Sequence, residues 1–208
     1  MEFWNDELTD LSWKKLIGLR KELEFVLIGG WAVYLYTKLH KSKDIDIIVD
    51  YPELRKLQAD YTLSKNDRLK RYEVKLGEGF DIDVYVPGYS RLALPIRDII
   101  GATVSREGFT VPKAEVLILL KLGAYTARKN SIKGSKDAID IIGLLFCPDM
   151  DLHRLKELAV RHGLYGYLRE LLGALDGFDP SLVKYLGLNA NSFSKLKRKY
   201  RQQLLAIL

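Results

Sequence analysis

The chain has 208 residues, 48% hydrophobic and 29% charged, which excludes the disordered class and fits one large domain or two small ones. Its single cysteine, Cys147, excludes an intrachain disulfide and a cysteine metal cage, and no apolar run approaches a membrane span. The net charge of +6 suits polyphosphate or nucleic-acid partners without demanding one. The opening Met1-Glu2-Phe3-Trp4-Asn5-Asp6-Glu7 is acidic and lacks a signal-peptide pattern, so the expected location is a reducing cytoplasm, with no membrane partner.

Asp10 to Lys21 carries apolar residues at Leu11, Trp13, Leu16 and Ile17 and predicts an amphipathic helix. Phe25 to Ile28 predicts a short buried strand ended by Gly29-Gly30, and Trp31 to Leu39 a helix. Asp44 to Val49 predicts a second strand, stopped by Tyr51-Pro52, with another helix over Pro52 to Tyr61. Tyr72 to Leu76 and Phe80 to Val86 alternate with period two about Gly77-Glu78-Gly79 and predict a hairpin. Phe109 to Pro112 predicts a last short strand. Helices are then expected at Lys113 to Arg128, Ser135 to Leu145, Asp151 to His162, Tyr165 to Leu175 and Ser192 to Ile207. The fold class is therefore α+β, a small mixed sheet packed by helices over 1–112, followed by a helical domain over 113–208.

Asp44-Ile45-Asp46 stands out along this order. Alternation puts both carboxylates on one strand face and sends Ile45 and Ile47 the other way. Two such acids repel unless a cation sits between them. The Gly29-Gly30 turn upstream offers open backbone N–H groups that suit phosphate. Asp81 and Asp83 form a second pair on a strand of the same alternation. A site for two divalent cations needs roughly three carboxylates, and either member of the second pair could be the third. Asp83 is favoured, because Asp83-Val84-Tyr85-Val86 matches Asp46-Ile47-Ile48-Val49 as an acid ahead of an apolar strand end. A solvated sheet face is the alternative reading of all four acids.

Lys121 interrupts Val116 to Tyr125, a run otherwise apolar on every face, and a buried ammonium needs an anionic partner. Arg128 lies two helical turns on, nearly on the same face. The pair could hold a triphosphate or bridge to a neighbouring helix. Ser135 is a natural N-cap for the next helix, which would place Asp137 where the helix dipole favours an acid. Asp137 or Asp140 could instead orient Lys121. Lys195, Lys197, Arg198, Lys199 and Arg201 form a basic cluster on the last helix, open to reading as a solvated face or as an RNA contact. His40, His153 and His162 lack metal-ligand spacing, and neither a GxxxxGK[ST] loop nor a GxGxxG motif is present.

The run Gly29-Gly30 … Ser42-Lys43-Asp44-Ile45-Asp46 resembles the signature of the DNA polymerase β-like nucleotidyltransferase superfamily. Lys121 … Arg128 … Lys136-Asp137-x-x-Asp140 is similar to the abortive-infection (AbiEii-type) and minimal nucleotidyltransferases. The resemblance covers roughly residues 24–145. It implies a nucleotidyltransferase fold and transfer of an NMP from an NTP to a hydroxyl, with release of pyrophosphate. It implies Asp44, Asp46 and Asp83 as the catalytic, metal-holding acids, and Gly29, Gly30, Ser42, Lys121 and Asp137 as nucleotide-binding residues, to which the Lys121–Arg128 stripe adds Arg128. Mg²⁺ (or Mn²⁺) is the implied cofactor. The acceptor could be RNA or tRNA, a protein or a small molecule, and a small partner protein would accompany a toxin–antitoxin role. Position 30 is Gly where Ser is frequent, so a phosphate contact there would be through the backbone only. The alternative is a catalytically weak nucleotide-binding or antitoxin-like module of the same fold.

Overall fold

The computed structural model describes residues 6–208; Met1 to Asn5, part of the acidic opening, lie outside the described residues. The chain divides into two compact units, residues 1–113 and 114–208. Among the described residues no helix is long and apolar enough to cross a membrane.

Unit 1 is built on a seven-stranded mixed sheet. Its strands are β1 (Val26–Ile28), β2 (Ile45–Ile48), β3 (Leu63–Asn66), β4 (Arg71–Lys75), β5 (Asp81–Tyr85), β6 (Thr103–Arg106) and β7 (Phe109–Pro112), in the spatial order β3-β4-β5-β2-β1-β7-β6. The D-x-D strand β2 is thus central, antiparallel to β1 and parallel to β5. Among the described residues the helices that accompany the sheet are α1 (Asp6–Glu22), α2 (Gly29–Thr37), α3 (Tyr51–Asp60) and α4 (Ile96–Ile100). Ile45, Ile47, Ile82 and Val84 are wholly buried, which fixes the register and leaves Asp46 and Asp83 on the other face. Trp31 of α2 is wholly buried, stacks on Trp13 of α1 and donates its indole N–H to the Ser12 hydroxyl at 2.9 Å.

Three elements of this unit escape the sequence patterns. Strand β3 is a polar edge strand with no clean alternation, held by antiparallel pairing to β4. Helix α4 spans five residues, too few to show a period. Strand β6 joins β7 through Glu107 and Gly108, both at positive φ, as a two-residue hairpin turn requires.

Unit 2 is helical: α5 (Ala114–Arg128), α6 (Ile132–Phe146), α7 (Leu152–Arg161), α8 (Tyr165–Asp176), a 3₁₀ segment Pro180–Leu186, and α9 (Ala190–Ile207). One expectation is corrected here. Helix α6 starts three residues before Ser135, and its N-cap is Ser131, whose hydroxyl accepts the Gly134 N–H. Asp137 therefore lies in the body of the helix, not in its first turn, and is 2% exposed. The helix can extend back because Gly134 packs where a Cβ would lie 2.3 Å from the Arg128 carbonyl oxygen.

Candidate active site

The site is a row of acids across three neighbouring strands. Cross-strand pairing sets Asp46 of β2 beside Asp83 of β5, and Asp83 opposite Glu73 of β4. Directly opposed like charges destabilise a sheet unless something bridges them. Arg71, two residues before Glu73 on the same strand face, does so: it lies 2.7 Å from Asp83 Oδ2 and 2.9 Å from Glu73 Oε1. Asn66 adds a hydrogen bond to Glu73 at 3.0 Å. Burial raises the Glu73 pKa, but bonds from Arg71 and Asn66 outweigh it and hold the carboxyl below its ordinary value.

Asp83 differs. It is 8% exposed, and its Oδ1 is buried without a hydrogen-bond partner. Burial, followed by the charge of Asp46, pushes its pKa up to about 7; Arg71 opposes this, while Glu73 and Asp44 add to it. Tyr85 completes the row, its hydroxyl 3.4 Å from both Asp46 Oδ1 and Arg71 Nη1. Burial, then Asp46 and Asp83, drive its phenol pKa far up, so the hydroxyl stays a donor.

The glycine turn closes on the same spot. Gly29 opens α2 at φ +68, and a Cβ there would lie 2.0 Å from Asp46 Oδ2. A Cβ on Gly30 would lie 2.5 Å from the Ser42 hydroxyl, so position 30 is Gly because Ser42 fills the space beside it. Ser42 in turn donates to the Asp44 carbonyl at 3.1 Å and fixes the entry to β2. Gly29→Ala is expected to destabilise the fold by about 1–2 kcal/mol from the left-handed backbone alone, with a further cost from displacing Asp46. Thermal melts of variant and wild type check it.

The structure thus brings Gly29, Gly30, Ser42, Asp46 and Asp83 together. Asp44 lies just before β2, where its carboxylate accepts the Asp81 N–H in a long bond of 3.4 Å. Asp81 is ion-paired to Lys75 at 2.6 Å, which leaves Asp83 as the inward member of the second pair. As the side chains stand, no three acids, histidines or cysteines among the described residues converge on one cation position. The donor set nonetheless fits Mg²⁺, which is commonly held by one or two carboxylates with phosphate oxygens and water completing its shell. The orphaned Asp83 Oδ1 is an acceptor in want of a partner.

Arg71, Glu73 and Tyr85 are missed by the sequence reading. The signal was available, since the Gly77-Glu78-Gly79 hairpin opposes Glu73 to Asp83 and so calls for a cation between them. A cavity of about 430 Å³ beyond the end of β5, lined by Lys70, Tyr89, Arg91 and Arg97, is also absent from that reading.

In unit 2, Lys121, Arg128, Asp137 and Asp140 form a network of their own. Lys121 Nζ lies 2.6 Å from Asp140 and 3.7 Å from Asp137, and Arg128 bonds both Asp137 oxygens at 2.7 and 3.1 Å. The bridge between α5 and α6 supplies the anionic partners that a lysine in an apolar helix demands.

Residues 8–95, under half of the chain, match a family described as "Nucleotidyltransferase of unknown function (DUF6036)". A search of curated proteins returns no match. Among solved structures, the chain is similar to an antigenic nucleotidyltransferase-like protein from Paracoccidioides brasiliensis at 16% identity and TM-score 0.46, covering 88% of this chain and 93% of that one. It is also similar to JHP933 from Helicobacter pylori at 17% identity and TM-score 0.44, covering 98% and 92%.

Proposed function

We propose that the acid row of unit 1 transfers an NMP from an NTP to a hydroxyl acceptor with the help of Mg²⁺. The observation that carries the reading is the buried Asp83 carboxylate, with one oxygen orphaned, set beside Asp46 and below a glycine turn that leaves no room for a Cβ. Asp46 and Asp83, with Asp44 at the strand entry, would hold the cation. A bound divalent cation would neutralise charge on the transferred phosphate and favour the ionised acceptor hydroxyl. The backbone N–H groups of Gly29 and Gly30, at the start of α2, suit phosphate oxygens. In the metal-free chain burial and then Asp46 push the Asp83 pKa up to about 7, and a bound cation would favour its ionised form. Arg71 and Tyr85 keep the acid row in place by bridging Asp83, Glu73 and Asp46. The match of residues 8–95 to a nucleotidyltransferase family supports the reading. Nucleotide binding by Lys121, Arg128 and Asp137 is a separate proposal, because each already has an ionic partner within unit 2.

Calorimetric titration of each Mg-NTP into wild type and into Asp44→Asn/Asp46→Asn tests it. Binding heat is expected with wild type, and binding at least tenfold weaker with the variant. Equal heats, or none with any NTP, would overturn the proposal. A second reading, a nucleotide-binding module without turnover, is favoured by the Arg71–Asp83 ion pair, which engages one of the acids. Metal-dependent labelling of RNA or protein from radiolabelled NTPs separates the two, since persistent absence of label beside normal NTP binding selects the module.

A further inference from the structure

The positive excess of the chain is not spread evenly. Residues 1–113 hold eighteen Lys and Arg against eighteen Asp and Glu, whereas residues 114–208 hold fifteen against nine. The whole net charge of +6 therefore lies in unit 2. Helix α9 carries five of those cations and no acid along its eighteen residues.

The helical period sorts the five cations. Phe193, Leu204 and Ile207 form the buried face of α9. Lys197 and Arg201 flank it and turn toward the end of α8, where Lys197 donates to the Asp176 carbonyl at 2.7 Å and Arg201 pairs with the Asp176 carboxylate at 3.0 Å. Lys195, Arg198 and Lys199 fall at i, i+3 and i+4, at 100° per residue diametrically opposite the buried face, and all three are exposed. Gln202 continues the line. No carboxylate lies within ion-pair distance of these three cations among the described residues.

An ordinary solvated helix face intersperses both signs, and like charges at i, i+3 and i+4 each weaken a helix by a few tenths of a kcal/mol. Here the cost stands uncompensated within unit 2. A partner that supplies the missing anions in a line would compensate it. The stripe from Lys195 to Gln202 is about 10 Å long, the span of roughly three nucleotides at 3.4 Å of rise each.

We infer that the outer face of α9 is a docking surface for a nucleic-acid strand, read through its phosphates and without base specificity. The surface binds by charge: Lys195, Arg198 and Lys199 displace condensed counterions, and the polar Gln202 extends the contact. Three phosphate contacts give a salt slope of about −2 on a single strand and about −3 on a duplex. Affinity then falls roughly 20-fold and roughly 40-fold, respectively, between 50 and 200 mM salt. The inference rests on unit 2 alone and stands whether or not the acids of unit 1 are catalytic.

The test is fluorescence anisotropy of labelled 20-nucleotide RNA, single-stranded DNA and duplex DNA with the full chain, across a salt series. The comparison is Lys195→Gln/Arg198→Gln/Lys199→Gln, whose melting curve should match wild type because the three side chains have no acidic partner to lose. Wild type is expected to bind with the slopes above, and the variant at least tenfold more weakly at 50 mM salt, with its slope reduced by about two on single strands and about three on the duplex. Equal binding by variant and wild type would overturn the inference, as would binding without salt dependence or no binding by wild type at 50 mM. Binding to phosphatidylserine vesicles with none to any oligonucleotide would also overturn it, in favour of a lipid surface.

Discussion

Asp83→Asn is expected to stabilise the protein above neutral pH and to abolish the proposed NMP transfer. In the folded chain the Asp83 pKa is pushed up to about 7, chiefly by burial and then by Asp46, whereas an unfolded aspartate titrates near 3.8. Between those two values the folded state holds a proton that the unfolded state has released, so stability falls as pH rises from about 4 to about 7 and is level above. Asparagine keeps the shape and an acceptor for Arg71 but never ionises. The gain over wild type should be near zero at pH 4 and grow to order 2–4 kcal/mol by pH 8, at 1.36 kcal/mol per unit. Melting temperatures in EDTA, taken every pH unit, read this directly. A change of that size corresponds to roughly 5–10 °C for a chain of this length. Transfer from NTP should drop by at least ~10³-fold, about 4 kcal/mol of lost transition-state stabilisation. A variant that melts like wild type at pH 8 would show that the orphaned Oδ1 is solvated in solution. A variant with full activity would remove Asp83 from the mechanism.

The acid row was legible in the sequence wherever alternation was complete. Asp44-Ile45-Asp46 and Asp81-Ile82-Asp83 each announce which face their carboxylates share, because the intervening isoleucines can only go to the core. Their mutual placement was not legible, since the parallel pairing of β2 with β5 is a long-range event that no local pattern encodes. Arg71 escaped for a related reason. It lies one residue before the expected strand start at Tyr72, whereas β4 begins at Arg71 and so puts it on the face of Glu73. Glycine at position 30 reads in sequence as a lost phosphate contact; the structure gives a packing reason instead, the Ser42 hydroxyl occupying the space a side chain would need. The start of α6 was misplaced because Ser135 has the side chain of a good cap, whereas the cap in the structure is Ser131. The choice falls to Ser131 through packing of Gly134 on the end of α5, which lies outside any helix-cap pattern. The polar edge strand β3 and the five-residue α4 carry too little periodicity to be seen at all.

Lys121→Met is expected to destabilise unit 2 strongly. Lys121 is the cation nearest Asp140, at 2.6 Å, and both side chains are almost fully enclosed. Methionine fills the space of the lysine stem but leaves Asp140 charged in apolar surroundings without its cation, a situation that costs about 3–5 kcal/mol. For a chain of this size the melting temperature should fall by roughly 10 °C. Asp137 is buffered against the loss, since Arg128 binds it through two nitrogens and Lys121 stands 3.7 Å away. The expected effect therefore runs through Asp140, and Lys121→Met/Asp140→Leu should recover most of the stability by removing both charges together. Thermal and urea denaturation of the two single variants and the double one form the cycle. A coupling energy of several kcal/mol identifies Lys121 as a structural cation of the α5–α6 bridge. A Lys121→Met variant that melts like wild type but binds Mg-NTP more weakly would reverse that assignment and make the lysine a phosphate ligand whose bridge to Asp140 is dispensable.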